Sequence, residues 1–226
     1  DSYVSVNEAL KHASASIGRS VEIDWIDSET FNGNLNQLDN FDGVLVPGGF
    51  GTRGSEGIID TATYTLEKNI PYLGICFGFQ LAAIAFGRKM CSLENANSTE
   101  IIADTKNPII DLLPEQKDET DMGGSLRLGA NEIKISQNSL AYKIYNSDKI
   151  SKRHRHRYEF NTKYRDEFLK KGMIFSGESD DGKRMEILEV PTHKFFLGVQ
   201  FHPEFNSRPG FPEDMFKTFV ATASQN

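Results

Sequence analysis

Residues 71–80 read Pro71-Tyr-Leu-Gly-Ile-Cys-Phe-Gly-Phe-Gln80, PYLGICFGFQ, and set a lone cysteine between two glycines at the end of an apolar run. PYLGI (71–75) suits a short buried strand, and FGFQLAAIAFGRKM (77–90) behind it carries the apolar pattern of a helix. Gly74-Ile-Cys76-Phe-Gly78 therefore has the form G-x-nucleophile-x-G at a strand-to-helix junction. The chain must turn sharply there, leaving the nucleophile strained, and side chains two residues either side would collide, so glycine is needed at both. N–H groups and the dipole at the start of the helix would favour a thiolate. A buried structural cysteine is the alternative. It suits Cys91 better than Cys76, because packing alone does not ask for two flanking glycines.

Outward from this elbow, strand and helix patterns alternate. Val6, Leu10, Ala13 and Ile17 recur at helical spacing, and Gly18 closes that helix. VEIDWID (21–27) alternates like a strand, FDGVLVPGG (41–49) is a buried-type strand running into glycines, and GSEGIIDTATYTLEKN (54–69) reads as a helix. Short links between such elements predict βαβ units and a largely parallel sheet. After about residue 98 the pattern changes. SLRLGAN, NEIKISQ, HRHRYEF, MIFSGES, RMEILEV and KFFLGVQF alternate apolar and polar, as in an antiparallel layer. A helix near 162–171 interrupts them and one near 212–224 ends the chain, while charged, turn-rich LLPEQKDETDMGG (112–124) reads as a mobile loop. The expectation is one α/β domain over residues 1–226.

Gly49-Phe-Gly-Thr-Arg-Gly54 matches the dinucleotide fingerprint G-x-G-x-x-G after a strand and before a helix. The fingerprint also wants an acidic residue at the end of the next strand, where this chain has Gly-Ile-Cys. A phosphate loop fails as well, since no Lys-Ser/Thr follows the glycines. The stretch reads better as a glycine turn whose backbone N–H groups face the tip of the next strand.

A cysteine nucleophile needs a base, and the base an orienting acceptor. Phe196-Leu-Gly-Val-Gln-Phe-His-Pro-Glu204 offers both: His202 and Glu204 are two apart, and in extended chain would share a face, with Pro203 stiffening the link. Oxyanion donors are expected from the N–H of Phe77 and a second N–H in the Gly48-Gly49 turn, at Gly49. Together these groups specify acyl transfer through a thioester.

Composition narrows the alternatives. The 32 acidic against 25 basic side chains leave a charge of −7, the wrong sign for a nucleic-acid binder. No run approaches the apolar length that crosses a bilayer, and no signal segment opens the chain, so a soluble, cytoplasmic protein is expected. Two cysteines are too few for a disulfide framework, and the histidines show no zinc-ligand spacing with them. His154 and His156 would share one strand face, read as a polar surface patch rather than a metal site. The chain opens at Asp1 without Met and without a leading strand, which suggests a module cut from a longer protein, with a trimmed terminus as the alternative.

PGGFG, GICFGFQ and QFHPEF in this order resemble the class I (triad) glutamine amidotransferases, which hydrolyse glutamine to glutamate and ammonia. The elbow keeps that family's G-x-C-x-G-x-Q, with Phe77 and Phe79 where Leu and Met are commoner. VPGGFGTRGSEG, ENANSTE (94–100), GGSLRLGA (123–130), RHRHRYEF (153–160) and QFHPEF closely resemble the glutaminase domains of the CTP synthase family, across nearly the whole chain.

The resemblance implies a three-layer fold: a central mostly parallel sheet with helices on both faces and a smaller antiparallel layer. It implies a catalytic triad of Cys76, His202 and Glu204, and a glutamine site drawn from Gly49, Phe77, Gly78, Phe79, Gln80, Glu100 and Arg157. Glu100 would meet the α-amino group and Arg157 the α-carboxylate, since a zwitterion needs one acid and one base at fixed separation. The glutaminase step needs no cofactor or metal. In that family ammonia passes to an N-terminal synthase domain, where ATP with Mg phosphorylates UTP and ammonia displaces the phosphate to give CTP. GTP activates allosterically, and the full enzyme is a homotetramer. Nothing here resembles the synthase domain, and the family's strand before DSYVSVNEALKH is missing, so this would be the C-terminal part of a longer chain. Open alternatives are the glutaminase of another triad amidotransferase, feeding GMP or carbamoyl phosphate synthesis, and a non-catalytic regulatory or assembly module.

Overall fold

The computed structural model describes residues 3–30, 34–113 and 126–225. All but the first two residues of the loop expected at 112–124 lie outside them, as does the start of GGSLRLGA. Ten strands are described: β1 (Val44–Val46), β2 (Tyr72–Ile75), β3 (Ala96–Ser98), β4 (Asn107–Asp111), β5 (Arg127–Ile135), β6 (Lys149–His156), β7 (Glu159–Phe160), β8 (Ile174–Ser179), β9 (Met185–Glu189) and β10 (Phe196–Val199). The α-helices are α1 (Val4–Ser16), α2 (Ser55–Lys68), α3 (Phe77–Lys89), α4 (Leu140–Tyr145), α5 (Arg165–Lys170) and α6 (Asp214–Ala223).

The large sheet runs β1-β2-β10-β9-β8-β5-β6, and β3-β4-β7 form a smaller one. Its parallel limb is β1-β2-β10, with α2 as the crossover between β1 and β2. The alternating strands of the second half extend this same sheet antiparallel, through β10-β9, β9-β8, β8-β5 and β5-β6. Short links favour that outcome, because parallel neighbours need a long crossover and antiparallel ones need only a turn.

Alternation along the strands sends side chains to two cores. Tyr72, Phe196 and Leu188 join a cluster with α2 and α3, while Leu73, Ile75, Leu197, Val199 and Ile187 face a second cluster with α1 and α6. The sheet thus lies between two helical layers, and the elbow between β2 and α3 sits at the end of its parallel limb.

Several expectations need correcting. VEIDWID (21–27) forms no strand: Val21 and Ile23 pack against the second cluster and Glu22 and Asp24 stay exposed, but no ladder takes up the backbone. Alternation reports which side chains are covered, not whether a partner strand is present. The expected helix near 162–171 is a 3-10 turn, Thr162–Tyr164, followed by the short α5. The elements β3, β4, α4 and the 3-10 turn Leu35–Asn40 span six residues or fewer, too short to show a period.

Candidate active site

Cys76 sits at φ 51° and ψ −96°, between the last residue of β2 and the first of α3. A side chain in that region is rare and strained, and such strain persists only where the surroundings hold it. Here the Cys76 N–H donates to the Val199 carbonyl at 2.7 Å and the Cys76 carbonyl accepts from Gln80 N–H at 3.2 Å. The flanking glycines are required by space. A β-carbon on Gly74 would stand 2.6 Å from the Gly78 carbonyl carbon, and one on Gly78 would stand 2.4 Å from the Val46 carbonyl oxygen.

His202 follows β10, and its N–H donates to the Arg153 carbonyl at 2.9 Å. Its Nδ1 meets Glu204 Oε1 at 2.8 Å, and Cys76 is the other group whose interaction acts on the ring. With Nδ1 engaged by the carboxylate, Nε2 is the atom left for sulfur. Gly48 marks the closeness of the pair: a β-carbon there would lie 2.8 Å from His202 Cε1 and 3.7 Å from Cys76 Cβ. Burial alone would lower the imidazole pKa, but the contacts with Cys76 and Glu204 outweigh it and raise it to about 10. The His202–Glu204 contact was expected from extended chain. It is made instead by the 3-10 turn Pro203–Asn206, with Pro203 at its first position. Proline fixes φ and lacks an N–H, both of which suit the start of a helical turn.

The other expected residues surround this pair. A β-carbon on Gly49 would lie 3.4 Å from Phe77 Cδ1, so the glycine turn lies over the first residue of α3. Glu100 Oε1 accepts from Gly51 N–H at 3.1 Å, which ties it to that turn. Burial raises the Glu100 pKa, while the Gly51 N–H and the charge of Arg157 oppose the rise. Phe77 and Phe79 are buried in the cluster with α2 and α3, and the Gly78 carbonyl accepts from the Tyr72 hydroxyl at 2.9 Å. Gln80 turns its amide nitrogen to the Tyr158 carbonyl, at 3.0 Å, and to Gln200 Oε1, at 3.2 Å. A cleft of about 520 Å³ opens over Gly48, Gly49, His202 and Glu204, walled by Tyr3, Phe50, Arg153, Arg155 and Phe205.

Two contributors went unmarked in the sequence: the Arg155 carbonyl that accepts from Cys76 Sγ at 3.9 Å, and Gln200, whose Nε2 donates to Cys76 Sγ at 3.7 Å. Only Gln200 had a visible signal, since it stands two residues before His202. A backbone carbonyl has none.

His154 and His156 are buried, not a surface patch. On β6 the arginines Arg153 and Arg155 face the cleft, and the histidines point inward and meet each other, Nδ1 to Nε2, at 3.0 Å. Burial first, then the charge of Arg127, holds both imidazoles well below their ordinary range. With Glu186 they place three potential ligand atoms within 4.8 Å of one another. The Arg127 guanidinium already rests on Glu186, so a fixed cation compensates that carboxylate. This is a charge-compensated buried network rather than an oxygen-rich site of the kind Mg²⁺ takes.

The family model for class I glutamine amidotransferases matches residues 1–222. The chain belongs to that family, and so to a class of enzymes. Within it the likeness is to CTP synthases and their glutaminase domains. A CTP synthase of Halalkalibacterium halodurans is 52% identical over 222 residues, covering 97% of this chain and 42% of that protein. One from Archaeoglobus fulgidus is 51% identical over 227 residues, covering 99% and 42%. A solved structure, the glutaminase domain of Trypanosoma brucei CTPS with bound acivicin, superposes with TM-score 0.94 at 34% identity, covering 100% of this chain and 89% of that one. The chain therefore spans less than half the length of the CTP synthases it matches.

Proposed function

We propose that this chain hydrolyses L-glutamine to glutamate and ammonia through a Cys76–His202–Glu204 triad. The observation that carries the proposal is His202 held between two partners, with Nδ1 on Glu204 at 2.8 Å and the Cys76 thiol on its other side. Cys76 Sγ passes its proton to His202 and attacks the side-chain amide carbonyl, and the oxyanion is received by the N–H groups of Gly49 and Phe77. His202 gives its proton to the departing ammonia, leaving a thioester. It then takes a proton from water, whose oxygen attacks the thioester carbonyl and releases glutamate and the Cys76 thiol. Glu100 and Arg157 hold the α-amino and α-carboxylate ends of the substrate, consistent with the charge coupling between them. Gly78, Phe79 and Gln80, which follow Phe77 on α3, complete the proposed glutamine-binding set from behind the elbow.

The ammonia serves amination of UTP to CTP on a synthase domain outside this chain, in a homotetrameric, cytoplasmic enzyme with GTP as activator. The support is the 42% share of each CTP synthase that this chain covers. ATP and Mg²⁺ belong to that other domain: the glycine turn at Gly49–Gly54 lacks the Lys-Ser/Thr of a phosphate loop, and the buried His154–His156–Glu186 group carries its own guanidinium. Among the described residues no helix is long and apolar enough to cross a membrane.

The test is glutamate release from glutamine, together with mass-spectrometric mapping of acivicin adducts. Turnover and a single adduct at Cys76 are expected, both lost in Cys76→Ala. An adduct elsewhere, or unchanged turnover in the variant, would overturn the proposal.

A further inference from the structure

Gln200 is completely buried and lies between the nucleophile and α3. Its Nε2 donates to Cys76 Sγ at 3.7 Å, and its Oε1 accepts from Gln80 Nε2 at 3.2 Å. Gln80 Nε2 also donates to the Tyr158 carbonyl at 3.0 Å. The direction of this chain is fixed by chemistry. A backbone carbonyl only accepts, so the nitrogen of Gln80 must face Tyr158. That nitrogen then presents its second N–H to Gln200, whose facing atom must be the oxygen. The NH₂ of Gln200 is left pointing at sulfur. Both ends are anchored, since the Gln200 N–H donates to the Glu186 carbonyl at 2.9 Å and the Gln80 N–H to the Cys76 carbonyl at 3.2 Å.

We infer that Gln200 is a dedicated N–H donor that stabilises the Cys76 thiolate, and that Gln80 is the positioning residue that orients it. A donor to a charged acceptor gains strength as the charge forms, so it favours thiolate over thiol. The titratable group facing the sulfur is His202, whose protonated ring also favours thiolate, so a labelling midpoint belongs to the Cys76–His202 pair and Gln200 adds to it. The opposing contact is the Arg155 carbonyl at 3.9 Å, which can accept only while sulfur keeps its proton. Gln200 thus holds the nucleophile's reactive form against a partner that prefers the resting one. The inference rests on Cys76 being the nucleophile, and it assigns the elbow glutamine a task directed inward as well as toward substrate.

The experiment is the pH dependence of iodoacetamide labelling of Cys76 in the purified protein, read by peptide mass spectrometry, with Cys91 as the internal reference. Selective labelling of Cys76 is expected in the unmodified protein. Gln200→Leu should move the midpoint up by about one pH unit, roughly tenfold in rate below it. Gln200→Glu keeps the side-chain shape, sets a carboxylate against sulfur and should move it further, so a leucine variant that fails to fold does not end the test. Gln80→Leu should shift the midpoint in the same direction by less, and add nothing to Gln200→Leu, because it acts through Gln200. An unmoved midpoint in a folded Gln200 variant, with Cys76 still selectively labelled, overturns this inference alone. Absence of selective labelling in the unmodified protein overturns it together with the nucleophile assignment.

Discussion

Gly78 lies directly against Val46: a β-carbon on it would stand 2.4 Å from the Val46 carbonyl oxygen and 3.0 Å from Val46 Cβ. The obstacle is backbone of β1, which cannot swing aside as a side-chain tip can. Gly78→Ala should therefore push α3 away from the sheet and carry Cys76 with it. Overpacking of this kind costs about 1–3 kcal/mol, so a folded variant with a lowered urea midpoint is expected. Its acivicin labelling of Cys76 should fall far more than its stability. Retention of full labelling would show that the elbow tolerates a side chain there.

The elbow was legible because its signal is local: a strand, a helix and two glycines within ten residues. The His202–Glu204 pair was legible for the same reason, although a 3-10 turn rather than extended chain brings the groups together. The buried pair His154 and His156 was misplaced because alternation gives two faces to a strand but not which one is inward. Only the fold shows that β6, at one end of the sheet order, reaches β10's side of the site, where the Arg153 and Arg155 carbonyls meet His202 and Cys76. VEIDWID failed for a related reason, since a strand needs a partner that no local pattern reports.

Glu204→Gln should separate orientation from protonation at His202. The carboxylate is one of two partners that raise the imidazole to about 10 despite burial. Removing its charge disfavours the protonated ring, so the alkaline limb of the glutaminase pH profile should move to lower pH. Turnover should fall on the order of 10²-fold, the scale of a disabled general acid–base group, with little change in KM. A profile that keeps its alkaline limb in place would show that Glu204 does not set the state of His202.

Glu100→Gln tests substrate placement. The carboxylate is half-buried, tethered to Gly51 and coupled to Arg157. If it receives the α-amino group, its neutral isostere loses a charge-assisted hydrogen bond to a group remote from the reacting carbonyl. KM for glutamine should rise about tenfold to a hundredfold while kcat changes little. A fall in kcat at constant KM would place Glu100 in the chemistry instead.

The buried histidine pair makes a prediction about stability. Both imidazoles are held below the ordinary histidine range by burial and by Arg127, so they stay neutral when folded at pH values where the unfolded chain binds protons. A base with a depressed folded pKa contributes no penalty above about pH 6.5, and costs stability progressively as pH falls below it. Each such histidine steepens the loss by about 1.4 kcal/mol per pH unit. Glu186, raised by burial, titrates with the opposite sign, because the folded state takes up its proton first as pH falls. That contribution is shared with a His154→Gln variant, so the difference between the two proteins isolates the histidine. Urea midpoints at pH 7.5, 6.5 and 5.5 should show His154→Gln less stable at the highest pH, with a shallower decline toward the lowest. Equal slopes would mean that His154 is protonated in the folded protein and that the Arg127–Glu186 pair tolerates a second cation beside it.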